Sequence, residues 1–529
     1  MKHRLAPLLI ILSLIFISSA TACSIGSKKP STLIYGLTLA PSGIDPHLNA
    51  SSELGIPLAS VYDTLIFRDP KTGEFVPGLS ESWSISPEGL VYTFYLRHDV
   101  TFHDGTPFNA QAVEANLDYV MNPDHHSQKA RFMLGSFQDV EIIDDYTVAL
   151  HLSEPFAPLL DSLSDVYLGM ASPTALETWG PTEYQFHQVG TGPYRFDEYI
   201  PNDKITLSHN PDYAWAPSIY ENSKAQIETI VFQFYQDPAT RAIALESGEV
   251  DIIGEVPTHD ASRFDVSTEF NLYPIPIPGQ PMQFFFNTRR APTDDVRVRL
   301  ALMYAVNRPQ AVKTIFDVFS PVAQSPFLAS FFDLEPQEPF PPYDPDTASA
   351  LLDEAGWKIT GDDNLRSSNG VPLELLIVAP PWGSNPEMAQ LIQADWEAIG
   401  ARVTLEIAPG FGPLKEAQTK GDYHAIGINF FGTDPDILRS FYTSTGLYNW
   451  SGFEDPEIDQ LLTQAAQIPI DLEARLQLYE QFSSRVRDEG LVLPIRNYVN
   501  LVAVNNQVEG LHFTAQGWYP ILIDLQMAP

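Results

Sequence analysis

Few groups of residues in this chain of 529 have both the types and the spacing that catalysis or metal binding requires. His103 and Asp104 are adjacent in the stretch FHDG at 102–105, as an acid/base pair or two metal ligands would be. The same four residues are typical of a tight turn closed by Asp and Gly, and we expect that structural role. His125 and His126 are also adjacent. Neighbouring residues on a regular element do not face one ligand, so we expect a solvated loop there.

Catalytic motifs are absent from the sequence. It contains no GxxxxGK[ST], GxSxG or HExxH pattern. The stretch GTGP at 190–193 has no Lys after it, and Pro193 lacks the backbone N–H that a phosphate-binding loop needs, so we expect a turn. Carboxylates are too numerous for a glycosidase pair to be chosen. The motifs therefore nominate no enzyme, no metal site and no cofactor.

Charge and composition exclude further classes. The chain has 67 Asp and Glu against 30 Lys and Arg, a net charge of −37, and such a field repels nucleic acid. Hydrophobic residues make up 44%, which indicates a globular protein, and the length predicts two or three lobes. A single cysteine rules out a disulfide framework.

The N-terminal residues have the order of an export signal. Two basic residues precede an apolar run at 8–17 and small residues at 18–22, and the run is too short to span a bilayer. The stretch ATAC resembles the lipobox of bacterial lipoproteins, which predicts a signal peptide at 1–22, lipid modification of Cys23 and a polar tether at 23–30. The alternative is ordinary cleavage that leaves an incidental cysteine. Either way, we expect an extracytoplasmic protein.

The secondary-structure elements that must position any site include both helices and strands. Alternation predicts a strand at 91–97, a hairpin over 140–152 and a strand at 230–235. Asp237 and Pro238 then begin a helix. In the second half, helical periodicity begins at 298, 344 and 385, followed by a strand at 402–407. The order predicts a mixed α/β protein with a separate α/β lobe after about residue 285.

Five blocks in order resemble one family. They are GLSESW at 78–83 with FHDGTPF at 102–108, VGTGPY at 189–194 with NPDY at 210–213, ESGEVD at 246–251, FNT at 286–288 with DVRVR at 295–299, and YDP at 343–345 with EAGW at 354–357 and the stretch 396–400. They are similar to the bacterial extracellular solute-binding proteins of family 5, the peptide/nickel-type receptors of ABC importers. The likeness runs through nearly the whole mature chain.

The resemblance implies a fold of the periplasmic-binding-protein type II, with two lobes that close on a ligand and an extra inserted domain. By this likeness lobe one comprises 31–73, 189–283 and 498–529. The extra domain comprises 74–188, and lobe two comprises 284–497.

The resemblance also implies a function. The protein would be a monomer, tied to the membrane by its lipid anchor at the cell surface or the periplasmic face. It would capture a peptide or similar small solute and deliver it to ABC permease and ATPase subunits, without a cofactor and without catalysis. Alternatives are a family-5 receptor for a non-peptide ligand such as an oligosaccharide or a nickel chelate, a secreted hydrolase, and a structural adhesin. The pocket is the variable part of the family, so fold likeness does not select the ligand.

The expected ligand site is the segment NFFGTDPD at 429–436, which follows a predicted strand at 424–431. In peptide-binding relatives a comparable stretch carries an aspartate that pairs with the peptide ammonium, and Asp434 is the nearest match, with Asp436 competing. Apolar walls would come from four aromatic side chains, those of Phe430, Phe431, Trp450 and Trp382. The alternative role for the acidic pair is to cap a helix that begins near residue 437.

Overall fold

The computed structural model describes residues 31–38, 43–49, 51–328, 338–359 and 364–528. The predicted signal peptide, Cys23 and the tether lie outside these ranges. Within them, no helix has the length and apolar character needed to cross a membrane. The mixed α/β class predicted from the sequence is confirmed, since helices surround several separate sheets.

The largest sheet, sheet A, has seven strands. In spatial order they are Phe270–Pro276, Val499–Asn505, Ile252–Ile253, Thr32–Leu37, Thr229–Phe234, Lys204–His209 and Tyr194–Ile200. Thr32–Leu37 runs parallel to both of its neighbours, and the other pairings are antiparallel. Apolar clusters cover both faces, with Leu33 and Tyr35 in one and Leu245 and Ile253 in the other. Burial on both faces is what parallel strands require.

Sheet B has five strands and its own core. In spatial order they are Arg402–Ile407, Glu374–Ala379, Ala425–Gly427, Met282–Phe286 and Val492–Arg496. Glu374–Ala379 is parallel to both neighbours. The core around this sheet includes Phe284, Phe286 and Trp396, all fully buried. Burial of large aromatic side chains supplies much of the stability of such a lobe.

A third sheet, sheet C, is antiparallel. Its four strands, in spatial order, are Ser80–Ile85, Val91–Leu96, Thr147–Leu152 and Phe137–Asp144. It confirms the strand and the hairpin predicted here. Shorter pairings join Ile66–Arg68 to Phe75–Pro77, Val508–Glu509 to Gln526–Met527, and Lys358–Ile359 to Arg366–Ser368 and Val371–Pro372.

The helices predicted after Asp237, after Asp344 and at Asn385 begin where the sequence predicts. The α-helices are Gly55–Leu58, Ala110–Met121, Lys129–Met133, Leu159–Leu163, Pro173–Glu183, Pro238–Glu246, Thr258–Asp265, Val296–Tyr304, Arg308–Phe316, Pro345–Glu354, Asn385–Ala398, Phe411–Lys420, Ile437–Tyr442, Pro456–Ala466 and Leu472–Asp488. The Asp237 side chain accepts a hydrogen bond of 2.7 Å from the backbone N–H of Thr240, and Asp344 caps its helix in the same way. These side chains satisfy N–H groups that have no partner inside a helix.

One predicted strand is shorter than expected. Residues 424–431 were predicted to be a strand, but only Ala425–Gly427 pairs with its neighbours. After Gly427 the chain leaves the sheet, and the N–H of Ile428 reaches the carbonyl of Gln283 at 3.4 Å. The apolar run continues because the loop that follows is itself packed, which alternation alone does not reveal.

Candidate functional site

Two short segments connect sheet A to sheet B. The chain leaves sheet A after Pro276 and enters sheet B at Met282, and it returns between Arg496 and Val499. Across the two segments, the N–H of Ile277 donates to the carbonyl of Tyr498 at 2.9 Å. All strands of sheet B lie between these segments in the chain, so the pair forms a hinge about which two lobes can rotate.

Each sheet presents the carboxyl ends of its parallel strands to the other. In sheet A, Thr32–Leu37 ends at Thr38 and Ile252–Ile253 ends at Gly254. In sheet B, the loops 380–384 and 428–436 follow the parallel strands. Ligands of open α/β sheets bind outside such strand ends. The space between the two sets of ends is therefore the candidate site, and we call it the cleft.

Aromatic rings contact each other across the cleft. The ring centroid of Phe431, from the sheet B loop, lies 5.5 Å from Trp518 and 4.8 Å from Tyr498 of the hinge. The Tyr498 hydroxyl donates to Oδ1 of Asn429 at 3.1 Å. These contacts bring residues of both lobes to one place.

A recess of about 250 Å³ lies on the sheet A side of the cleft. Its lining combines the ends of two parallel strands with carboxylate, amide and indole groups: Tyr35, Gly36, Leu37, Thr38, Glu53, Ile56, Gly254, Glu255, Asn500 and Trp518. The hydroxyl of Thr38 donates to Oε1 of Glu53 at 2.9 Å. The recess is small and opens to the cleft, so it fits one end of a solute and not a whole small molecule.

Glu255 is held in an unusual backbone conformation at the rim of this recess. Its φ is +48°, in the left-handed region that a non-glycine residue rarely adopts. Its N–H donates to Oδ1 of Asn500 at 2.9 Å, and its carbonyl accepts from Nη2 of Arg241 at 2.9 Å. The same guanidinium donates to the carbonyls of Gly254 and Tyr235. These bonds offset the strain and hold the Glu255 backbone in place at the rim of the recess.

Gln280 and Gly279 fasten the 428–436 loop to the hinge. Gln280 is 1% exposed, and its Oε1 accepts from the N–H of Phe430 at 3.0 Å, while its own N–H donates to the Phe430 carbonyl at 2.9 Å. Gly279 has a φ of +130°, and a Cβ there would lie 2.6 Å from Cα of Phe431. Only glycine permits this close approach.

Asp434 does not face the cleft as a free carboxylate. Nη2 and Nη1 of Arg475 donate to its two oxygens at 2.5 and 2.7 Å, and both side chains are largely buried. Burial raises the pKa of Asp434, but Arg475 outweighs burial and holds the pKa below its usual range. The position of an ammonium ion is thus occupied by a guanidinium. The predicted role of Asp434 as a ligand anchor stays a prediction, and this pairing counts against it.

Asp434 and Asp436 both lie before the helix Ile437–Tyr442, but neither side chain caps it with a hydrogen bond to the helix N–H groups. Oδ1 of Asp434 accepts from the N–H of Asp436 at 2.8 Å, just before the helix Ile437–Tyr442. Asp436 is the N-cap residue, but its side chain makes no capping hydrogen bond and instead binds Arg439 at 2.9 and 3.0 Å. As a ligand contact, Asp436 too stays a prediction.

The four aromatic side chains predicted to line the ligand site lie in different environments in the structure. Trp450 is 0% exposed in the sheet B core, which counts against a role in the cleft wall. Phe430 is half-buried and stacks on Tyr448 with a centroid distance of 5.1 Å. Trp382 is 40% exposed in the loop 380–384. Of the four, Phe430, Phe431 and Trp382 lie on loops at the strand ends, and their ligand contacts stay predictions.

The histidine turns are structural. Nε2 of His103 lies 2.9 Å from the carbonyl of Gly192, and burial lowers the pKa of His103 to about 4. The N–H of Thr106 donates to Oδ1 of Asp104, which closes the turn. Among the described residues, no three His, Cys, Asp or Glu side chains are grouped to hold a metal ion.

A larger recess of about 470 Å³ lies elsewhere in the sheet A lobe. Its lining comes from residues 59–68, 164–166, 219–220 and 514–521. None of these belongs to sheet B or its loops, so closing the hinge would not enclose a solute there. We therefore assign the site to the smaller recess.

Sequence reasoning missed most of the sheet A side of the cleft. Asn500 lies 245 residues after Glu255 in the chain and Trp518 a further 18 residues on, and no local motif links them. One signal was present for Glu255, because Gly254 follows a short apolar pair, Ile252–Ile253, directly after the block ESGEVD at 246–251.

Two lobes joined by a two-segment hinge, with strand ends facing across a cleft, define a two-lobed α/β binding protein. The sequence profile of the bacterial extracellular solute-binding proteins, family 5 Middle, matches residues 74–452. The chain belongs to this family, as the resemblance predicted.

Several relatives are alike over most of their length. The nickel-binding periplasmic protein of Escherichia coli K12 is 28% identical over 492 residues, covering 87% of this chain and 88% of that protein. Heme-binding protein A of Haemophilus influenzae is 28% identical and covers 94% and 93%. The dipeptide-binding protein of Escherichia coli K12 is 27% identical and covers 94% and 95%. The names show one family and several kinds of ligand.

Solved structures confirm the binding-protein fold. NikA from Brucella suis, in complex with Fe(III)-EDTA, has a TM-score of 0.83 at 25% identity and covers 94% of this chain and 99% of its own. HbpA2 from Haemophilus parasuis has a TM-score of 0.79 at 27% identity and covers 94% and 100%. The expectation of two lobes around a ligand cleft therefore has direct structural counterparts.

Proposed function

We propose that this protein is the receptor of an ABC importer, which closes its two lobes over a small solute and delivers it to a membrane permease. The observation that carries the proposal is the meeting of Phe431, Tyr498 and Trp518 between the strand ends of sheets A and B. A solute seated there touches both lobes, and it therefore favours the closed state by its differential affinity. The nickel, heme and dipeptide receptors among the relatives support the same role.

Small-angle scattering and thermal unfolding test whether the two lobes close over a bound solute. The purified mature protein is measured alone and with Met-Leu, heme or a nickel–histidine chelate, and the molecules that co-purify with it are identified by mass spectrometry after denaturation. We expect one solute class to raise the melting temperature and reduce the radius of gyration together. If a bound solute leaves the radius of gyration unchanged, the proposed closure of the two lobes is wrong.

Binding without chemistry is part of the proposal. The relatives named above are a nickel-, a heme- and a dipeptide-binding protein, and their names support binding as the function. A bound solute is expected to be recovered unchanged after long incubation. Recovery of a cleaved product would instead support the secreted hydrolase.

The proposal includes the domain division and the anchor. Lobe one would comprise 31–73, 189–283 and 498–529, the inserted domain 74–188, and lobe two 284–497, a division that agrees with the strands of sheets A, C and B. Cys23 would carry the lipid of a monomeric, membrane-tethered receptor. Mass spectrometry of the membrane fraction should find an acylated N-terminal Cys23, whereas a soluble chain with another N-terminus would exclude the anchor.

A further inference from the structure

The carboxylates of the cleft lie on the sheet A side. Glu53 and Glu255 both line the 250 Å³ recess beside Trp518. On the sheet B side, the carboxylates of Asp434 and Asp436 are bound by Arg475 and Arg439. The cleft is therefore electrostatically one-sided, with its acidic end in lobe one.

Arg241 is a basic residue close to this acidic end, but its hydrogen bonds are directed to the backbone. Its guanidinium donates to the carbonyls of Tyr235, Gly254 and Glu255. The Arg241 charge attracts the Glu255 carboxylate, but among the described residues no Lys, Arg or His nitrogen lies within ion-pair distance of it. That carboxylate remains available to a charged group that enters from the cleft.

Trp518 supplies two further features. Its ring forms part of the recess wall, and the face of an indole attracts cations within about 6 Å. Its Nε1–H is buried and has no acceptor among the described residues. A buried donor without a partner is costly, so a ligand that brings an acceptor gains from it. An indole ring beside two carboxylates is an arrangement that favours a cationic nitrogen.

We propose that the recess between Glu255, Glu53 and Trp518 is a subsite for the cationic nitrogen of the transported solute, such as the ammonium of a peptide terminus or of an amine. This inference rests on the proposed receptor function and names the solute class. The net charge of −37 raises the local concentration of cations and speeds their approach. A metal ion is a poorer occupant, because the described residues offer no group of three ligating side chains.

Calorimetric titration with matched probes tests the subsite. The probes are Met-Leu, N-acetyl-Met-Leu, which lacks the charged amine, and spermidine, which separates a peptide terminus from a simple amine. The variants are Glu255→Gln and, as control, Glu228→Gln, which removes one exposed charge at the opposite, N-terminal end of a sheet A strand. Melting temperatures verify that both variants fold.

We expect Met-Leu or spermidine to bind the parent protein and to bind Glu255→Gln about 10–100-fold more weakly, as the loss of a charge-assisted contact requires. Glu228→Gln should match the parent, and acetylation should abolish the binding of Met-Leu. Equal binding to Glu255→Gln and the parent, equal binding of the acetylated probe, or no binding of either amine would overturn the inference.

The receptor function is scored separately from the subsite. If a neutral or anionic solute co-purifies and compacts the protein, the cationic subsite is wrong and the receptor function stands. If no solute binds or co-purifies and no compaction occurs, the cationic subsite and the receptor function are both wrong.

Discussion

Both oxygens of the Asp434 carboxylate are bound by the guanidinium of Arg475, at 2.5 and 2.7 Å. Asp434 lies in the loop after Ala425–Gly427, and Arg475 lies in the helix Leu472–Asp488. The pair ties the loop that carries Phe431 to the body of the sheet B lobe. It therefore has the geometry of a structural ion pair, which counts against Asp434 as the partner of a charged solute.

Asp434→Asn is expected to destabilise the protein by about 3–5 kcal/mol, because it leaves a buried guanidinium without its counter-charge. Chemical denaturation measures the change. Asp436→Asn is the matched comparison, since its partner Arg439 is 39% exposed and can be solvated when the pair is broken, so we expect a smaller loss than in Asp434→Asn. An unchanged unfolding free energy in Asp434→Asn, together with weaker solute binding, would restore the ligand-anchor role.

Thr433→Val tests a contact between the loop 428–436, which follows a strand of sheet B, and the helix Leu159–Leu163. The Thr433 hydroxyl donates to the buried carboxylate of Asp161, at 2.7 and 2.8 Å from its two oxygens, and Arg68 binds the same carboxylate. Burial raises the pKa of Asp161, so each donor to this group matters. We expect Thr433→Val to cost about 1–3 kcal/mol in denaturation, with Thr433→Ser close to the parent. Equal stability of the Val and Ser variants would contradict this.

Gly279→Ala is expected to displace the loop at Phe431. The new Cβ would stand 2.6 Å from Cα of Phe431, on a backbone with φ of +130°. Gly248→Ala is the control, because its φ is also positive, at +74°, but its Cβ would meet nothing within 4 Å. We expect Gly279→Ala to lose at least about 2 kcal/mol of unfolding free energy and to bind solute more weakly, with a smaller loss in the control. Equal losses would assign the cost to backbone strain alone.

His424 is expected to make the protein less stable below neutral pH. Its Nδ1 accepts from the N–H of Leu376 at 2.8 Å, so the ring must be neutral, and burial lowers the pKa of His424 to about 4. The unfolded chain therefore binds a proton near pH 6.5 that the folded protein does not bind until about pH 4, and stability falls as pH falls through this window.

The contribution of His424 between pH 7 and pH 5 is about 2 kcal/mol. Urea denaturation at both values should show a smaller pH dependence for His424→Gln than for the parent. His126→Gln, at an exposed position, should leave the dependence unchanged. If His424→Gln shows the full dependence, the acid sensitivity arises from other groups.

Local chemistry was readable from the sequence. Asp237 and Asp344 cap helices as predicted, because an N-cap bond joins residues three apart and needs no distant partner. The strand at Val91–Leu96 and the α/β class followed from alternation and periodicity for the same reason. The family likeness supplied the arrangement of the lobes, since five ordered blocks specify a known fold.

The tertiary structure decided the site. The sequence shows Asp434 as an acid beside a proline, and only packing reveals that Arg475, 41 residues later, neutralises it. Trp450 is equally prominent in the sequence, yet it is fully buried in the core. Glu255 meets Asn500 and Trp518 because strands distant in the chain are neighbours in sheet A. Helix caps and strand alternation are short-range interactions that the chain encodes locally, whereas the charge balance and exposure of a side chain depend on partners that folding brings from elsewhere in the chain.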